Sequence, residues 1–265
     1  MKKLLLLAVF CIVVGGIGAG LTWKSYVKTT NKMKGRETEK IEANEHIKNI
    51  QVNLEAGDVK IEKGKDSSFY IKKSAMSEEQ EVNVEEKGDT LIVEGDIENE
   101  FTFGVSFFKA PKITVIVPDR AYHKIKLHTK AGDVTVLNLN SERVDILTNA
   151  GDINMQNVVA SVVENTSKEG DIQTKRVTGD VIAKTLSGDV NVLGHAPIHA
   201  VTAHSKEGDI MIRLLEKPKN AKIIGETKEG DVEIFQKEDK FAEFGSGKVT
   251  IKGETLAGDV KVEAR

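Results

Sequence analysis

Ten copies of Gly-Asp followed by Val or Ile punctuate this chain, at Gly57, Gly95, Gly132, Gly151, Gly170, Gly179, Gly188, Gly208, Gly230 and Gly258. A carboxylate that recurs in this way is first a candidate ligand for a hard cation. If the units stack as strands, equivalent aspartates lie about 4.8 Å apart. Two exposed carboxylates at that distance repel by about 1 kcal/mol in water. A calcium ion would relieve the repulsion, which makes Asp133, Asp152 and Asp171 the candidate metal ligands. Calcium-binding rolls, however, use nonapeptide repeats with several oxygens per coil. Here each turn offers one Asp, and Lys130, Lys168, Lys206 and Lys228 stand nearby to neutralise the column. The expectation is a structural role for these aspartates, with no metal and no cofactor.

Other chemistry is sparse. His195, His199 and His204 have spacings of four and five, which on a helix would suggest a zinc pair. Pro197 and the surrounding β pattern deny the helix, and in a strand His195 and His199 would lie roughly 13 Å apart, so surface histidines are expected. One cysteine, Cys11, excludes an internal disulfide and a Cys-rich metal site. No Ser-His-Asp set or phosphate-cradling glycine loop stands out, and the acids follow the period of the repeat, which a catalytic cluster would break. The least periodic segment is Phe101-Thr102-Phe103-Gly104-Val105-Ser106-Phe107-Phe108, with four of the nine phenylalanines. Phe101, Phe103, Phe107 and Phe108 either pack over one end of the repeats or form an apolar contact for a membrane, peptide or protein partner.

The elements that position these residues follow from alignment on the glycines. From Gly132 the main steps are 19, 19, 18, 20, 22 and 28 residues. Seven residues before each Gly stand Ile125, Val144, Val163, Val181, Val201, Ile223 and Ile251. Three before stand Thr129, Thr148, Ser167, Thr185, Ser205, Thr227 and Thr255. Two after stand Val134, Ile153, Ile172, Val190, Ile210, Val232 and Val260. Alternating β-branched residues mark one buried strand face. The Gly supplies a positive-φ turn, and the Asp is expected to hydrogen-bond within that turn. Gly179-Asp180 would mark the opposite turn of one coil. A strand-turn-strand unit of about 20 residues cannot bury its apolar face alone, whereas stacked units can. The expected fold class is all-β, a β-solenoid or β-roll of such repeats over residues 120–265. An antiparallel meander built on the same turns is the competing arrangement. Residues 45–119 read as a β region capping the stack, with a hairpin around Lys87-Gly88-Asp89 and a strand at Ile113–Val117 ended by Pro118.

Ahead of this lies a different signal. Lys2 and Lys3 precede Leu4–Trp23, 20 residues without a charge. As a helix they would span about 30 Å, the thickness of a bilayer core. Residues 1–23 are therefore read as a transmembrane anchor or signal segment, and residues 24–44 as a basic spacer. Gly18 and Gly20 would suit signal cleavage, and Gly16 and Gly20 form a GxxxG pair. Positive residues flank both sides of the segment. The positive-inside rule alone would leave the body in the cytoplasm, whereas a short basic start before a leucine run reads as an export signal. The expectation is a single-pass cell-membrane protein with its body outside, the alternatives being a secreted or a cytoplasmic body. With 38 Lys+Arg against 41 Asp+Glu, the chain lacks the basic excess of a nucleic-acid binder.

The strand Lys112-Ile113-Thr114-Val115-Ile116-Val117-Pro118 and the following Thr-x-x-Gly-Asp-[Val/Ile] repeats resemble the bacterial "putative adhesin" β-strand-repeat family, which includes LiaG-like membrane-anchored proteins. The resemblance covers residues 45–265. It implies an exported, membrane-attached protein of the Gram-positive cell envelope linked to envelope stress, and it supplies no catalytic residues. The function expected is thus non-enzymatic binding of an envelope protein, peptide or polymer, through membrane attachment at residues 4–23. The alternatives are a polysaccharide-active enzyme on a β-helix scaffold and a purely structural spacer.

Overall fold

The computed structural model describes residues 33–34, 37–41, 45–77, 80–96 and 111–265. The transmembrane segment expected at residues 4–23 lies outside them. Among the described residues every regular element is a β-strand, and 20 of the strands form one continuous sheet. The Gly-Asp turn folds each unit into a coil of two strands. The strand before the turn pairs with its counterparts in one column, and the strand after the turn does so in a second column.

The pairing is parallel and in register, which sets aside the antiparallel meander. In the first column Ile125 lies opposite Ile50 and Val144, and Val144 opposite Val163. In the second, Val134 lies opposite Val59 and Ile153, and Ile153 opposite Ile172. The core is the space between the columns, where the Val and Ile positions aligned in the sequence are buried. The chain crosses from the second column to the first at a far corner, where Asn138, Asn157 and Arg176 all take positive φ.

Stack order differs from chain order at both ends. The strand Asn49–Ala56 lies between Thr90–Asp96 and Ala121–Ala131, so the first repeat is the second coil of the stack. At the other end Val249–Glu254 lies between Val201–His204 and Ala221–Glu226, and Val260–Ala264 lies between Ile210–Leu214 and Val232–Ile234. The last repeat in sequence is therefore the last but one in space. Antiparallel strands blunt the open edges: Glu81–Lys87 on Thr90–Asp96, Phe69–Ser74 on Lys112–Val117, and Phe241–Phe244 on Ala221–Glu226. Covering exposed edges in this way guards against edge-to-edge aggregation. Glu37–Ile41, inside the stretch read as a basic spacer, adds a further edge strand on Phe69–Ser74.

Two of the ten Gly-Asp copies are not turns of the main column. Gly95 sits within a strand, opposite Leu54. Gly179 lies near the far corner as expected, at a register shift between Val159 and Val162. The interior also tapers. The residue five before each turn glycine runs along the stack as Val52, Leu127, Ile146, Asn165, Ala183, Ala203, Gly253 and Gly225. A Cβ on Gly225 would lie 2.4 Å from Val232 Cγ1, and one on Gly253 2.8 Å from Val260 Cγ1. The two columns therefore close on one another toward the last coils.

Candidate functional site

The geometry of the Gly-Asp column explains its residue types. At Gly170 φ is +140°, and an added Cβ would stand 2.3 Å from the Gly151 carbonyl oxygen. Both the backbone angle and the close approach of the neighbouring coil thus require glycine. The turn displaces the Gly carbonyl and the Asp N–H from ordinary strand pairing, and side chains of adjacent coils take their place. The Asp171 N–H donates to Asp152 Oδ1 (2.8 Å), and Asp171 Oδ1 in turn accepts from the Asp189 N–H (2.8 Å). The same bond links Asp58 to Asp133, Asp133 to Asp152, Asp189 to Asp209, Asp209 to Asp259, and Asp259 to Asp231. On the inner side of the turn, Thr185 Oγ1 donates to the Gly170 carbonyl (3.0 Å), Ser205 Oγ to that of Gly188 (2.9 Å), and Thr255 Oγ1 to that of Gly208 (2.9 Å). The Thr-x-x-Gly-Asp motif is a stitch between coils.

This corrects the expectation that the Asp bonds within its own turn: the partner is the next coil. It also accounts for Asp133, Asp152 and Asp171 without a cation. Each has one carboxylate oxygen committed to a backbone N–H, and a charged acceptor makes a strong bond of this kind. Among the described residues no group of three or more His, Cys, Asp or Glu is arranged to hold a metal ion. Direct ion pairs with the lysines are not part of the column. Lys130 pairs with Glu55, and among the described residues no ladder aspartate is in an ion pair.

Phe101, Phe103, Phe107 and Phe108 lie outside the described residues. They fall in sequence between Asp96 and Pro111, and the Pro111 carbonyl accepts from the Asp58 N–H. The histidines depart from the sequence reading. His195 is buried, 1% exposed, and its ring lies 6.3 Å from that of His199, not the roughly 13 Å of an extended strand. The loop after His195 turns back on itself, with the His199 N–H donating to the Ala196 carbonyl. His195 Nε2 lies 3.2 Å from the His199 carbonyl oxygen. Burial holds the His195 ring below the ordinary imidazole range, keeping it neutral near pH 7.

The outer faces of the two columns differ in chemistry. On the first, Lys124 and Arg143 clamp Asp145, and Arg143 and Lys184 reach Glu164. Burial pushes the Asp145 carboxyl up, but the two cations outweigh it and hold it below the usual carboxylate range. On the second, Thr135, Asn154, Gln173 and Asn191 occupy four successive rungs. At the far corner Asn157 Nδ2 donates to Asn138 Oδ1 (2.8 Å), and Arg176 Nε to Asn157 Oδ1 (2.7 Å). The sequence alignment covered inward positions and passed over these outward columns, although their 19-residue spacing was there to be read. Two polar groups lie inside coil 158–175, Thr174 in an aligned inward column and Asn165 in one the alignment passed over. Both side-chain polar atoms of Asn165, and Thr174 Oγ1, are buried without a hydrogen-bond partner among the described residues.

The fold defines an all-β protein of stacked, stitched repeats. The profile of the Toastrack DUF4097 family matches residues 47–178 and again 163–264, and the chain belongs to that family. Solved structures similar to it include a "putative adhesin" from Bacteroides fragilis NCTC 9343, at 16% identity and TM-score 0.47, covering 87% of this chain and 98% of the other. Another is a "putative adhesin" from Parabacteroides distasonis ATCC 8503, at 14% identity and TM-score 0.44, covering 88% and 98%. A "putative cell adhesion protein" from Clostridium sporogenes ATCC 15579 matches at 16% identity and TM-score 0.41, covering 88% and 100%. No curated protein matches the chain.

Proposed function

We propose that this chain is a non-enzymatic binding protein of the bacterial cell envelope, tethered by residues 4–23, with its repeat body on the outer side of the cytoplasmic membrane. The observation that carries the reading is the use of the motif side chains. The Thr and Asp that recur through the repeat are hydrogen-bonded between coils, so the chemistry of the motif is spent on building the stack. What the body offers outward is two long ladder faces. Weak contacts repeated along such a face gain from being linked, because each later contact forms at high effective concentration. The adhesin-like naming of the similar solved structures agrees with this reading, as do the uncharged run Leu4–Trp23 and the basic stretch after it, which suits a place beside anionic lipid or wall polymer. A role in LiaG-like envelope-stress systems is the finer form of the proposal.

Protease treatment of intact cells tests the topology. Loss of the body with survival of the membrane segment is the expected result, and full protection until lysis would overturn it. Incubation of the purified chain with cell-wall polymers tests the non-enzymatic part. Release of shortened polymer by the chain, and not by a heat-treated sample, would replace binding with catalysis.

A further inference from the structure

We infer that the outer face of the second column is a binding surface for a neutral, linear polysaccharide. The inference deepens the envelope-binding proposal by naming the ligand class and the face.

Nearly a third of the chain is charged, and the first column carries linked ion pairs on its outer side. Across four rungs the second column departs from this. Thr135, Asn154, Gln173 and Asn191 stand side by side in parallel register, with Lys60 beyond one end and Met211 beyond the other. Asn154 and Gln173 are exposed, and Thr135 and Asn191 half-buried. In the next outward row Leu137 and Leu193 flank the amides, and Lys175 is the one charge among the four rungs of that row.

The state of the amides sets this face apart from the corner beside it. Asn138, Asn157 and Arg176 bond to one another and close their ladder. Among the described residues, the side chains of Asn154, Gln173 and Asn191 have no hydrogen-bond partner. Each carries two donors and an acceptor, so the face presents both kinds of group at every amide rung, between the aspartate column on one side and the row that holds Lys175 on the other. That is the complement of a polyol, whose hydroxyls both donate and accept. A phosphate-rich or acidic polymer would meet Lys175 and, at one end, Lys60, but also the aspartates Asp133, Asp152 and Asp171 beside the amides, and a lipid surface would find no contiguous apolar patch. The rungs repeat at about 4.8 Å, close to the length of one pyranose ring in an extended chain. A linear polymer lying across the strands therefore meets one amide per sugar, and the half-buried Leu137 and Leu193 offer aliphatic surface to the sugar C–H faces. Each bond exchanges with water and contributes about 1 kcal/mol, so affinity must come from several rungs acting together.

The test is calorimetric titration of the full chain, held in a detergent without a sugar headgroup, with cellohexaose and with chitohexaose. Binding of at least one, with a dissociation constant below about 1 mM and insensitive to a tenfold rise in salt, is expected. The double substitution Asn154→Ala and Gln173→Ala should weaken it at least tenfold, and Gln173→Glu should weaken it while preserving the circular dichroism spectrum. Lys126→Ala, on the first column, should leave it unchanged. Binding of neither hexasaccharide, equal binding by the double variant, or tighter binding of a neutral alanine–glycine hexapeptide would overturn the inference. Because the measurement uses purified protein, its failure leaves the envelope topology to be decided separately by the protease experiment.

Discussion

Replacing Thr185 with valine removes one hydroxyl and leaves the outline of the side chain almost unchanged. Thr185 is 2% exposed, and its Oγ1 is 3.0 Å from the Gly170 carbonyl oxygen and 3.2 Å from that of Ser187. The valine variant leaves the Gly170 carbonyl facing an apolar group at a buried position. An acceptor stranded in this way costs about 1–3 kcal/mol, less a fraction for the added apolar burial. The net expectation is a loss of about 1–2 kcal/mol. The neighbouring Asp171 makes a shorter bond (2.8 Å), but its turn is exposed and water can serve the freed Asp189 N–H. Asp171→Ala should therefore cost less, about 1 kcal/mol or below. Gly170→Ala should exceed both, at more than about 3 kcal/mol, because it combines strain at positive φ with a collision against backbone. Urea unfolding followed by circular dichroism, with unchanged m-values, reads all three. The reasoning fails if Asp171→Ala destabilises more than Thr185→Val, since burial would then not be what sets the cost.

Other substitutions bear on the interior. Asn165→Val should raise stability by about 1 kcal/mol in the same assay, because a buried amide without partners gives way to an apolar side chain between Ile146 and Ala183. Gly225→Ala should lower it by about 1–3 kcal/mol through overpacking against Val232, measurable as a fall in midpoint. The imidazole of His195 is held below its unfolded value near 6.5, so the unfolded chain takes up its proton first as the pH falls. The stability held above about pH 6.5 should then be lost progressively from that pH down toward the folded value. Replacing His195 with Gln should flatten that part of a stability–pH curve, and an unchanged slope would show that His195 is not its source.

The repeat was legible because buried β-branched residues and the turn glycine recur in fixed phase. Val144, Thr148 and Gly151 of one coil stand in the same relation as Val163, Ser167 and Gly170 of the next, and that alone fixed the turn and the core face; the hairpin at Gly88 was read separately, from its own turn residues. Parallel pairing was expected from the solenoid reading but not decided against a meander, because a glycine turn closes a hairpin as readily as it starts a new coil. Stack order was not legible. Every unit carries the same stitch, so any copy fits on any other. What sends the unit of Gly258 inside that of Gly230 is the connection at residues 235–248, which includes the edge strand Phe241–Phe244. The Asp was expected to bond within its own turn for a related reason: its hydrogen-bond partner is 18 to 75 residues away in sequence and one rung away in space. His195 looked exposed because its loop, closed by the bond from His199 to Ala196, interrupts the alternation by which burial is read.

The central claim, that identical stitches join coils in parallel and out of chain order at the far end, can be tested by cysteine pairing in a Cys11→Ser background. Lys261 lies between Met211 and Glu233 on the outer face of the second column. Adjacent rungs are about 4.8 Å apart, within the Cα separation of about 4.4 to 6.8 Å that a disulfide tolerates, whereas two rungs are about 9.6 Å apart. The structure predicts that Met211→Cys with Lys261→Cys, and Lys261→Cys with Glu233→Cys, each oxidise to an intramolecular bond, and that Met211→Cys with Glu233→Cys does not. Ready bridging of positions 211 and 233, with none between 211 and 261, would contradict it.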